Sequence, residues 1–320
     1  MRPKVKRIVN ENNDFQRVEV IKRNREKRTK YQEFFVEGVK SINYAIEYNW
    51  KIRSFLYSTE RPLSDWAQGI LAHSTADSHL ELPLKLMEKL SDKEEETPEL
   101  MAVVRMAEND LARIKVKEDL LVVVFDRPSS PGNLGTLIRS CEALKVDGLI
   151  VTGHAVDLYD PKTIRASMGT FFAVPTIRLP SHHELAPWFA QLRKEFADFQ
   201  IIGSTAKADH LVEEVDFTRP TILLIGNETF GLSNSYKKIC DDFCRIPMYG
   251  KITSFNVSCA ASIVLYEIDR QRRKADTQEK KGEVALKTIL TGAIAPGHVL
   301  LRPSRGGGAN LDQDGEMKKT

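Results

Sequence analysis

Three polar segments of the sequence carry residue types that could do chemistry, and each follows an apolar run. The first is PGNLGTLIRS (131–140), where Asn133 is suited to cap a helix and Arg139 can project from that helix toward the loops. A guanidinium in this position can hold a phosphate or stabilise a developing negative charge. The alternative is an arginine on a solvated helix face, and the segment alone leaves both interpretations open.

The second segment is LLIGNETFGLS (223–233), in which two glycines flank the lone carboxylate of Glu228 just beyond a buried strand. Glycines at such a place allow the backbone to approach a ligand closely. The alternative is a tight turn in which Glu228 accepts hydrogen bonds from backbone amides.

The third segment, RIPMYGKITSFNVSCAASIVLYE (245–267), is a polar loop that enters a helix, with Thr253 or Ser254 as the expected cap. Ser254 and Asn256 lie at the helix N-terminus, where free N–H groups attract oxygen atoms. The helix itself carries an apolar stripe and several small residues, which is typical of a core helix or of a subunit interface.

Standard signatures of other enzyme classes are missing. The sequence lacks G-x-G-x-x-G, G-x-x-x-x-G-K-[ST] and G-x-S-x-G, which argues against a Rossmann dinucleotide site, a P-loop and an α/β-hydrolase. No spacing of histidines or cysteines is typical of a metal site, so we expect no metal.

The composition is that of an ordinary globular protein. The 320 residues are 42% hydrophobic and 28% charged, and this length predicts about two domains. The four cysteines form no C-x-x-C pair, so we expect reduced thiols in a cytoplasmic protein. No apolar run reaches the ~18 residues of a membrane span, and the N-terminus lacks the apolar core of a signal peptide.

Positive charge is concentrated at the two ends of the chain. The net charge is +3, but residues 1–30 carry a balance of +7, residues 270–320 a balance of +5, and the remainder is acidic. Basic arms favour polyanions such as nucleic acids, because phosphate neutralisation releases counterions. Solvated tails without a partner are the alternative.

The order of elements predicts how the three segments meet. Strands alternate with helices over 118–272, which predicts a mostly parallel sheet, and ligands of such sheets bind at the carboxyl ends of the strands. Upstream, residues 29–106 read as a small α/β domain, in which we expect WAQGILAHS to be a strand. Residues 1–28 lack apolar periodicity and predict a flexible arm, and residues 273–320 predict a disordered tail.

Taken together, the three segments resemble the motifs of the SpoU (TrmH-like) RNA ribose methyltransferases of the SPOUT superfamily. The family's N-x-G-x-x-x-R, G-x-E-x-x-G-L and I-P-M-x-G-x-x-x-S-L-N-V-S correspond to Asn133–Arg139, Gly226–Leu232 and Ile246–Ser258, with Phe255 where leucine is usual. RASMGTFFAVP (165–175) resembles a further family stretch, in which Met168 and Thr170 replace common alanines. FFVEGVKSINYAIEYNWKIRSFLYS (34–58) resembles the L30e-like substrate-binding domain.

The resemblance implies an α/β fold in which a mostly parallel sheet ends in a C-terminal trefoil knot, preceded by the L30e-like domain. It implies a homodimer with a composite site, and S-adenosylmethionine bound in the knot loops. The implied reaction is methyl transfer to a ribose 2′-hydroxyl of structured RNA, with ribosomal RNA favoured over transfer RNA. The residues that would contact the cofactor are Gly226, Ile246, Phe255, Met248, Ser204, Thr205 and Asn227.

The resemblance also assigns residues to catalysis and to RNA. Arginine is a poor general base because its pKa is above ~12, so we expect Arg139 to hold the target phosphate and stabilise alkoxide charge. Ser254 and Asn256 would orient Arg139 or the ribose, and Asn133 and Glu228 would shape the loops. The residues implied to contact RNA are Arg139, Arg165, Ser167 and Glu37.

Two other functions compete with this interpretation. A catalytically silent RNA-binding dimer would keep the fold but lose the polar motif residues, all of which are present here. An unrelated nucleotide-binding enzyme would require a phosphate-binding loop that the sequence lacks.

Overall fold

The structure is a computed structural model that describes residues 3–92 and 96–290. The chain divides into two units, Met1–Ala275 and Asp276–Thr320. The first unit contains two sheets that follow one another along the chain.

The N-terminal sheet has five strands in the order β1-β4-β3-β5-β2. Its strand β5 is antiparallel to β2 and β3, whereas β4 is parallel to β1 and β3. Its strands and helices are β1 (Lys4–Arg7), α1 (Asn13–Arg23), α2 (Arg25–Tyr31), β2 (Glu33–Glu37), α3 (Val39–Glu47), β3 (Ile52–Tyr57), α4 (Asp65–Ala72), β4 (Ser78–Glu81), α5 (Leu84–Leu90) and β5 (Leu100–Arg105).

Two predictions for this region differ from the structure. Of the predicted flexible arm 1–28, residues 4–28 instead contain β1, α1 and the start of α2. Helix α1 buries Phe15, Val18 and Ile21, which recur every three residues among charged ones and so cover one helix face. The stretch WAQGILAHS is helix α4 rather than a strand, because Ser64 caps it by accepting a hydrogen bond from the Ala67 amide.

The second sheet has seven strands in the order β10-β12-β9-β11-β6-β7-β8, and every described pairing in it is parallel. The α/β class with a mostly parallel sheet is therefore confirmed. The strands and helices are β6 (Leu121–Asp126), α6 (Pro131–Ala143), β7 (Gly148–Thr152), α7 (Pro161–Ala166), β8 (Thr176–Leu179), α8 (Ala186–Glu195), β9 (Gln200–Ser204), β10 (His210–Leu211), β11 (Thr221–Ile225), α9 (Asn234–Lys237), β12 (Asp242–Arg245) and α10 (Val257–Leu290).

The C-terminal helix is longer than predicted. Helix α10 continues to Leu290, so residues 273–290 are helical rather than disordered, and residues 291–320 of the predicted tail lie outside the described residues. Ala261, Val264 and Leu265 belong to the buried core, which agrees with the core interpretation of the apolar stripe. The trefoil knot remains a prediction.

An aromatic cluster joins the two sheets. The Trp50 ring lies 5.2 Å from the Phe172 ring and 5.5 Å from the Phe171 ring, and its indole Nε1 donates a 2.9 Å hydrogen bond to the Phe172 carbonyl. Phe34 and Tyr159 complete the cluster with ring centroids 4.8 Å apart. The segment 165–175 therefore includes a packing contact between the two halves of the first unit.

A buried arginine provides the polar part of the same junction. Arg28 is only 2% exposed, and its guanidinium binds the Asp157 carboxylate at 2.6 Å and donates to the carbonyls of Ile21 and Lys22, both at 2.8 Å. These contacts link helix α2 to the loop before α7.

Replacing Arg28 with alanine is expected to lower the free energy of unfolding by about 3–5 kcal/mol, because it leaves a nearly buried carboxylate without its counter-ion. Urea denaturation followed by circular dichroism measures this loss. Arg23→Ala is the control, because the Arg23 side chain is 64% exposed where it pairs with Glu19, so its loss should cost less than about 1 kcal/mol. Equal losses in both variants would contradict the role of Arg28.

Candidate active site

A cavity of about 400 Å³ lies beyond the carboxyl ends of β9 and β11, where the loop before α10 closes over it. All seven residues predicted to contact a cofactor line this cavity, together with Glu228 and Ser254. The predicted lining residues are Ser204, Thr205, Gly226, Asn227, Ile246, Met248 and Phe255. Segments far apart in the sequence meet here, as the edge of a parallel sheet requires.

The loop after β11 is a tight turn held by Asn227. The backbones of Asn227 and Gly231 exchange two hydrogen bonds, of 3.1 and 2.9 Å, and the Asn227 Oδ1 accepts from the amides of Thr229 and Phe230. A Cβ added to Gly226 would lie 2.2 Å from the Gly231 carbonyl carbon. The turn therefore folds directly over Gly226, which explains the glycine at that position.

Glu228 joins this turn to the start of α6. Its carboxylate accepts hydrogen bonds from the Ser129 amide at 2.9 Å, the Ser129 hydroxyl at 2.8 Å, the Ser130 amide at 3.1 Å and the Asn133 Nδ2 at 3.1 Å. Burial alone would raise the pKa of Glu228, but hydrogen bonds from backbone amides, Asn133 and Ser129 outweigh it and lower that pKa. Glu228 is therefore an ionised acceptor that organises two loops.

Replacing Glu228 with glutamine is expected to lower the free energy of unfolding by about 1 kcal/mol at neutral pH, since the group is partly exposed and the loss is partly screened. A carboxyl whose folded-state pKa is depressed stabilises the fold above the unfolded value of about 4.3 and loses that contribution as pH falls. The difference between wild type and Glu228→Gln should therefore shrink below about pH 4.

Urea denaturation at pH 7 and at pH 3.5 measures this difference. Glu118→Gln is the control, because Glu118 is exposed and has no hydrogen bond among the residues that the structure describes. A difference that grows toward low pH would contradict the ionised role of Glu228.

The network continues from Glu228 to helix α10. The Asn256 Nδ2 donates to the Asn133 Oδ1 at 3.0 Å, while the Asn256 Oδ1 accepts from the Ser258 amide at 3.0 Å and the Ser258 hydroxyl at 2.7 Å. Asn256 therefore caps α10, and the prediction of Thr253 or Ser254 as the cap was wrong. The chain Glu228–Asn133–Asn256 fixes three loops relative to one another.

Arg139 does not join the cavity. It lies on the exposed flank of α6, is absent from the cavity lining, and has no hydrogen bond or ion pair within 3–92 and 96–290. Its guanidinium is thus free for a ligand, but the chain alone does not place it against the predicted cofactor residues.

The other residues predicted to contact RNA hold the two sheets together. Glu37 accepts from the Ser91 hydroxyl at 2.9 Å and from the Asp92 amide at 3.2 Å, and its side chain is only 6% exposed. Arg165 pairs with Asp92 at 2.5 Å and lies 3.9 Å from Glu37. These contacts favour a structural role for both residues.

Ser167 is fully buried, and its hydroxyl donates to the Ile164 carbonyl at 2.6 Å. RNA therefore cannot reach Ser167 in this structure. Ser167 ends helix α7, which is a structural reason for a polar residue at this position of the motif.

Sequence reasoning missed several residues of the cavity. Lys207, Thr229, Phe230 and Lys237 also line it, and both lysines are exposed. Lys207 and Phe230 follow predicted residues by only two positions, so their place in the same loops was the available signal. The two lysines give the lining of the cavity a net positive charge, because Glu228 is its only acidic residue and balances one of them.

The described residues support neither a metal site nor a membrane-spanning helix. They contain no group of three or more His, Cys, Asp or Glu side chains that could hold a metal ion, and no described helix is both long and apolar enough to cross a membrane. Cys141, Cys240, Cys244 and Cys259 are free thiols.

Comparisons with known proteins match the segments that form the cavity and the domain before them. Residues 120–266 match the model of the SpoU rRNA methylase family, and residues 12–102 match the SpoU L30e-like domain. The 23S rRNA (uridine(2479)-2′-O)-methyltransferase of Streptomyces viridochromogenes is 46% identical over 270 residues, which are 84% of this chain and 94% of that protein. A 23S rRNA (guanosine(2553)-2′-O)-methyltransferase of Bacillus subtilis is 27% identical, over 76% of this chain and 91% of the relative.

A solved structure agrees with these relatives. The SpoU methyltransferase AviRb from Streptomyces viridochromogenes, in complex with the cofactor AdoMet, superposes with a TM-score of 0.78 at 45% identity, over 82% of this chain and 98% of that one. The two matched regions and the 46% identical relative show that the chain belongs to the SpoU rRNA methylase family. It carries the SpoU L30e-like domain ahead of the methylase domain.

Proposed function

We propose that this protein transfers a methyl group from S-adenosylmethionine to a ribose 2′-hydroxyl of 23S ribosomal RNA. The observation that carries the proposal is the single cavity that gathers all seven predicted cofactor residues. The relatives support 23S rRNA, and by name they act on the 2′-oxygen of different nucleosides, a uridine in one and a guanosine in the other. We infer that the enzyme works in the cytoplasm, where this RNA and reduced thiols are found.

The chemistry of the cavity fits S-adenosylmethionine. Ile246, Met248 and Phe255 offer apolar surface for an adenine ring, while the hydroxyls of Ser204 and Thr205 can bond to polar groups of the ligand. Because Gly226 has no side chain, the Gly231–Leu232 backbone packs directly against it, and these residues together form part of the cavity wall. When bound, this cofactor supplies an electrophilic methyl group on a sulfonium.

The protein's contribution is to align and polarise the nucleophile. The ribose oxygen forms a bond to the methyl carbon, the carbon–sulfur bond breaks with its electrons on sulfur, and the hydroxyl proton leaves to an RNA phosphate or to water. Alignment of the three reacting atoms can contribute several kcal/mol, and the Glu228–Asn133–Asn256 network holds the loops in which that alignment is set. DNA lacks the 2′-hydroxyl and cannot be a substrate.

Arg139 is assigned to the RNA, in a composite site of a homodimer. An arginine outside the cavity and without a partner among the described residues can bind a target phosphate and stabilise alkoxide charge when a second copy brings it to the cavity. Helix α10 supports such a dimer, since Ile263 and Tyr266 expose 37% and 57% of their surface beside the buried stripe.

A methyl-transfer assay tests the proposal. Purified protein and labelled S-adenosylmethionine are incubated with an unmodified 23S rRNA transcript, and the product is mapped by resistance of the methylated ribose to alkaline cleavage. One resistant position is expected. Absence of both transfer and cofactor binding, the latter measured by calorimetry, would favour the catalytically silent RNA-binding dimer, whereas cofactor binding without transfer would indicate a missing substrate state or partner.

A further inference from the structure

The residue that follows strand β6 has an unusual backbone conformation. Arg127 adopts φ 54°, in the left-handed region that favours glycine. Four other described non-glycine residues also have a positive φ, and each of them caps or directly follows a helix, where a left-handed residue is common: Gln32, Asn49, Lys145 and Met168. Arg127 follows a strand, so no helix end accounts for its conformation.

Neighbouring segments hold the Arg127 backbone in this conformation. Its amide donates to the Thr152 carbonyl at 3.0 Å, and its carbonyl accepts from the Asn227 Nδ2 at 2.7 Å. A Cβ added to Gly153 would lie 2.6 Å from the Arg127 Cγ, so the stem of the arginine fills the space beside that glycine. A glycine at position 127 would adopt the same backbone at lower cost, but it would bring no side chain. The conformation therefore points to a role for the arginine side chain.

The Arg127 side chain joins a buried carboxylate to the turn that lines the cofactor cavity. Its Nε and Nη2 donate to the two oxygens of Asp126, at 3.1 and 3.0 Å, and the same Nη2 donates to the Gly231 carbonyl at 3.3 Å. Asp126 is only 3% exposed, and its Oδ2 also accepts from the Ser233 amide at 3.0 Å. Together with the bond from Asn227, the pair contacts the turn at three places.

These contacts can set the shape of the cavity wall without touching the cofactor. Gly231 lines the cavity, whereas neither Asp126 nor Arg127 does. The hydrogen bonds of Glu228 fix the first half of the turn to the start of α6, and those of the Asp126–Arg127 pair fix its second half, at Gly231 and Ser233. The two halves of the turn are thus held by different groups.

We propose that Arg127 is a positioning residue for S-adenosylmethionine. Its guanidinium, fixed on Asp126, holds the Gly231 carbonyl and keeps the turn in the shape that binds the cofactor. The proposal rests on the proposed function, since that function supplies the cofactor. The competing role is purely structural, in which Arg127 only neutralises the buried carboxylate of Asp126.

Calorimetry with S-adenosylmethionine and the full-length protein tests the proposal. Arg127→Ala should weaken cofactor binding at least about tenfold, the effect of losing one hydrogen bond from a charged group. Arg127→Gly removes the same contacts but accepts the left-handed backbone, so it should weaken binding equally and be at least as stable as Arg127→Ala in urea denaturation. Normal affinity in both variants, or a loss in Arg127→Ala alone, would overturn the proposal.

Arg127→Lys separates positioning of the turn from neutralisation of Asp126. An ammonium can pair with the carboxylate, but it lacks the planar fork that bonds two groups in fixed directions. Lysine should therefore restore the stability that Arg127→Ala loses, while the cofactor affinity stays low. Recovery of the affinity together with the stability would assign Arg127 to neutralisation alone and overturn the proposal.

Arg193 offers a matched control, because it forms a similar pair away from the cavity. Its Nη2 donates to both oxygens of Asp241, at 2.8 and 3.0 Å, and the Asp241 Oδ2 accepts from the Ile201 amide at 2.8 Å. Neither member of this pair lines the cavity, so Arg193→Ala should leave the cofactor affinity unchanged. An equal loss of affinity in Arg193→Ala would reveal a general effect of destabilisation and overturn the proposal.

Transfer kinetics and the wild type separate the possible failures. With the 23S rRNA transcript, Arg127→Ala should raise the KM for S-adenosylmethionine and change kcat less than about threefold, because the residue acts on binding and does not line the cavity. A fall in kcat with an unchanged KM would overturn the proposal. A wild type that binds no cofactor would overturn the proposed function and this proposal together, whereas a wild type and an Arg127→Ala variant that bind equally well would overturn this proposal alone.

Discussion

Replacing Arg139 with alanine is expected to reduce the rate of methyl transfer about 10²–10³-fold, the loss that follows removal of one group that stabilises a developing oxyanion. The guanidinium is exposed and has no partner among the described residues, so its removal breaks no contact of the fold. Affinity for S-adenosylmethionine should stay unchanged, because Arg139 does not line the cavity. The measurements are single-turnover transfer to the 23S rRNA transcript and calorimetry with the cofactor.

Two further variants separate the possible roles of Arg139. Arg139→Lys keeps the charge but loses the planar fork, so partial activity would indicate a charge contact and full loss a bidentate contact to phosphate. Lys162→Ala is the control for non-specific electrostatic attraction between the protein and RNA, because Lys162 is an exposed, positively charged residue on the neighbouring helix α7. An Arg139→Ala enzyme with normal transfer would remove Arg139 from the site.

Mixed dimers test whether the site is composite. If one copy supplies Arg139 and the other the cofactor cavity, co-expression of Arg139→Ala with a cavity variant should restore one intact site per mixed dimer. Activity of about a quarter of wild type is the expected result from two inactive parents, because random assembly makes about half of the dimers mixed and each mixed dimer has one intact site of two. Absence of any rescue would place both parts of the site in one chain.

The meeting of the loops that form the cavity could be predicted from the sequence because it follows a local rule, whereas the individual cofactor residues are those that the resemblance to the SpoU motifs implies. Gly226 and Ser204 stand at or just beyond the ends of strands, and carboxyl ends of parallel strands share one edge of the sheet. Knowing the order of elements was therefore enough to predict that these loops meet. The two glycines of that segment indicated a close approach of the backbone at Gly226. The sequence did not predict how short the distance between Gly226 and the turn is.

The residues that join the two sheets could not be predicted in the same way. Glu37, Arg165 and Ser167 were assigned to RNA because they are polar and lie in or near motif-like stretches. Glu37 and Arg165 instead bind partners on other segments, whereas Ser167 ends helix α7 by donating to the Ile164 carbonyl. Which polar group meets which depends on how the two sheets pack, and no local period of the sequence encodes that packing. Arg28 could not be predicted for the same reason. It forms a buried ion pair, but it lies in a basic N-terminal run whose composition is also that of a solvated arm.

Replacing Gly226 with alanine is expected to weaken the binding of S-adenosylmethionine about tenfold to a hundredfold, because inserting a methyl group into a packed site costs about 1–3 kcal/mol. The added Cβ would lie 2.2 Å from both the Gly231 carbonyl carbon and the Leu232 nitrogen, which are backbone atoms and cannot rotate away. The turn around Glu228 must then shift, and with it the cavity wall.

Two measurements distinguish a local change in the cavity from a loss of the whole fold. Calorimetry with S-adenosylmethionine reports the affinity, and thermal denaturation without cofactor reports stability. Gly69→Ala is the matched control, since a Cβ at this position in helix α4 meets no atom within 4 Å and should leave cofactor affinity unchanged. Strain in the turn must lower either the cofactor affinity or the thermal stability of Gly226→Ala. If both stay at their wild-type values, the turn over Gly226 does not form the cofactor site.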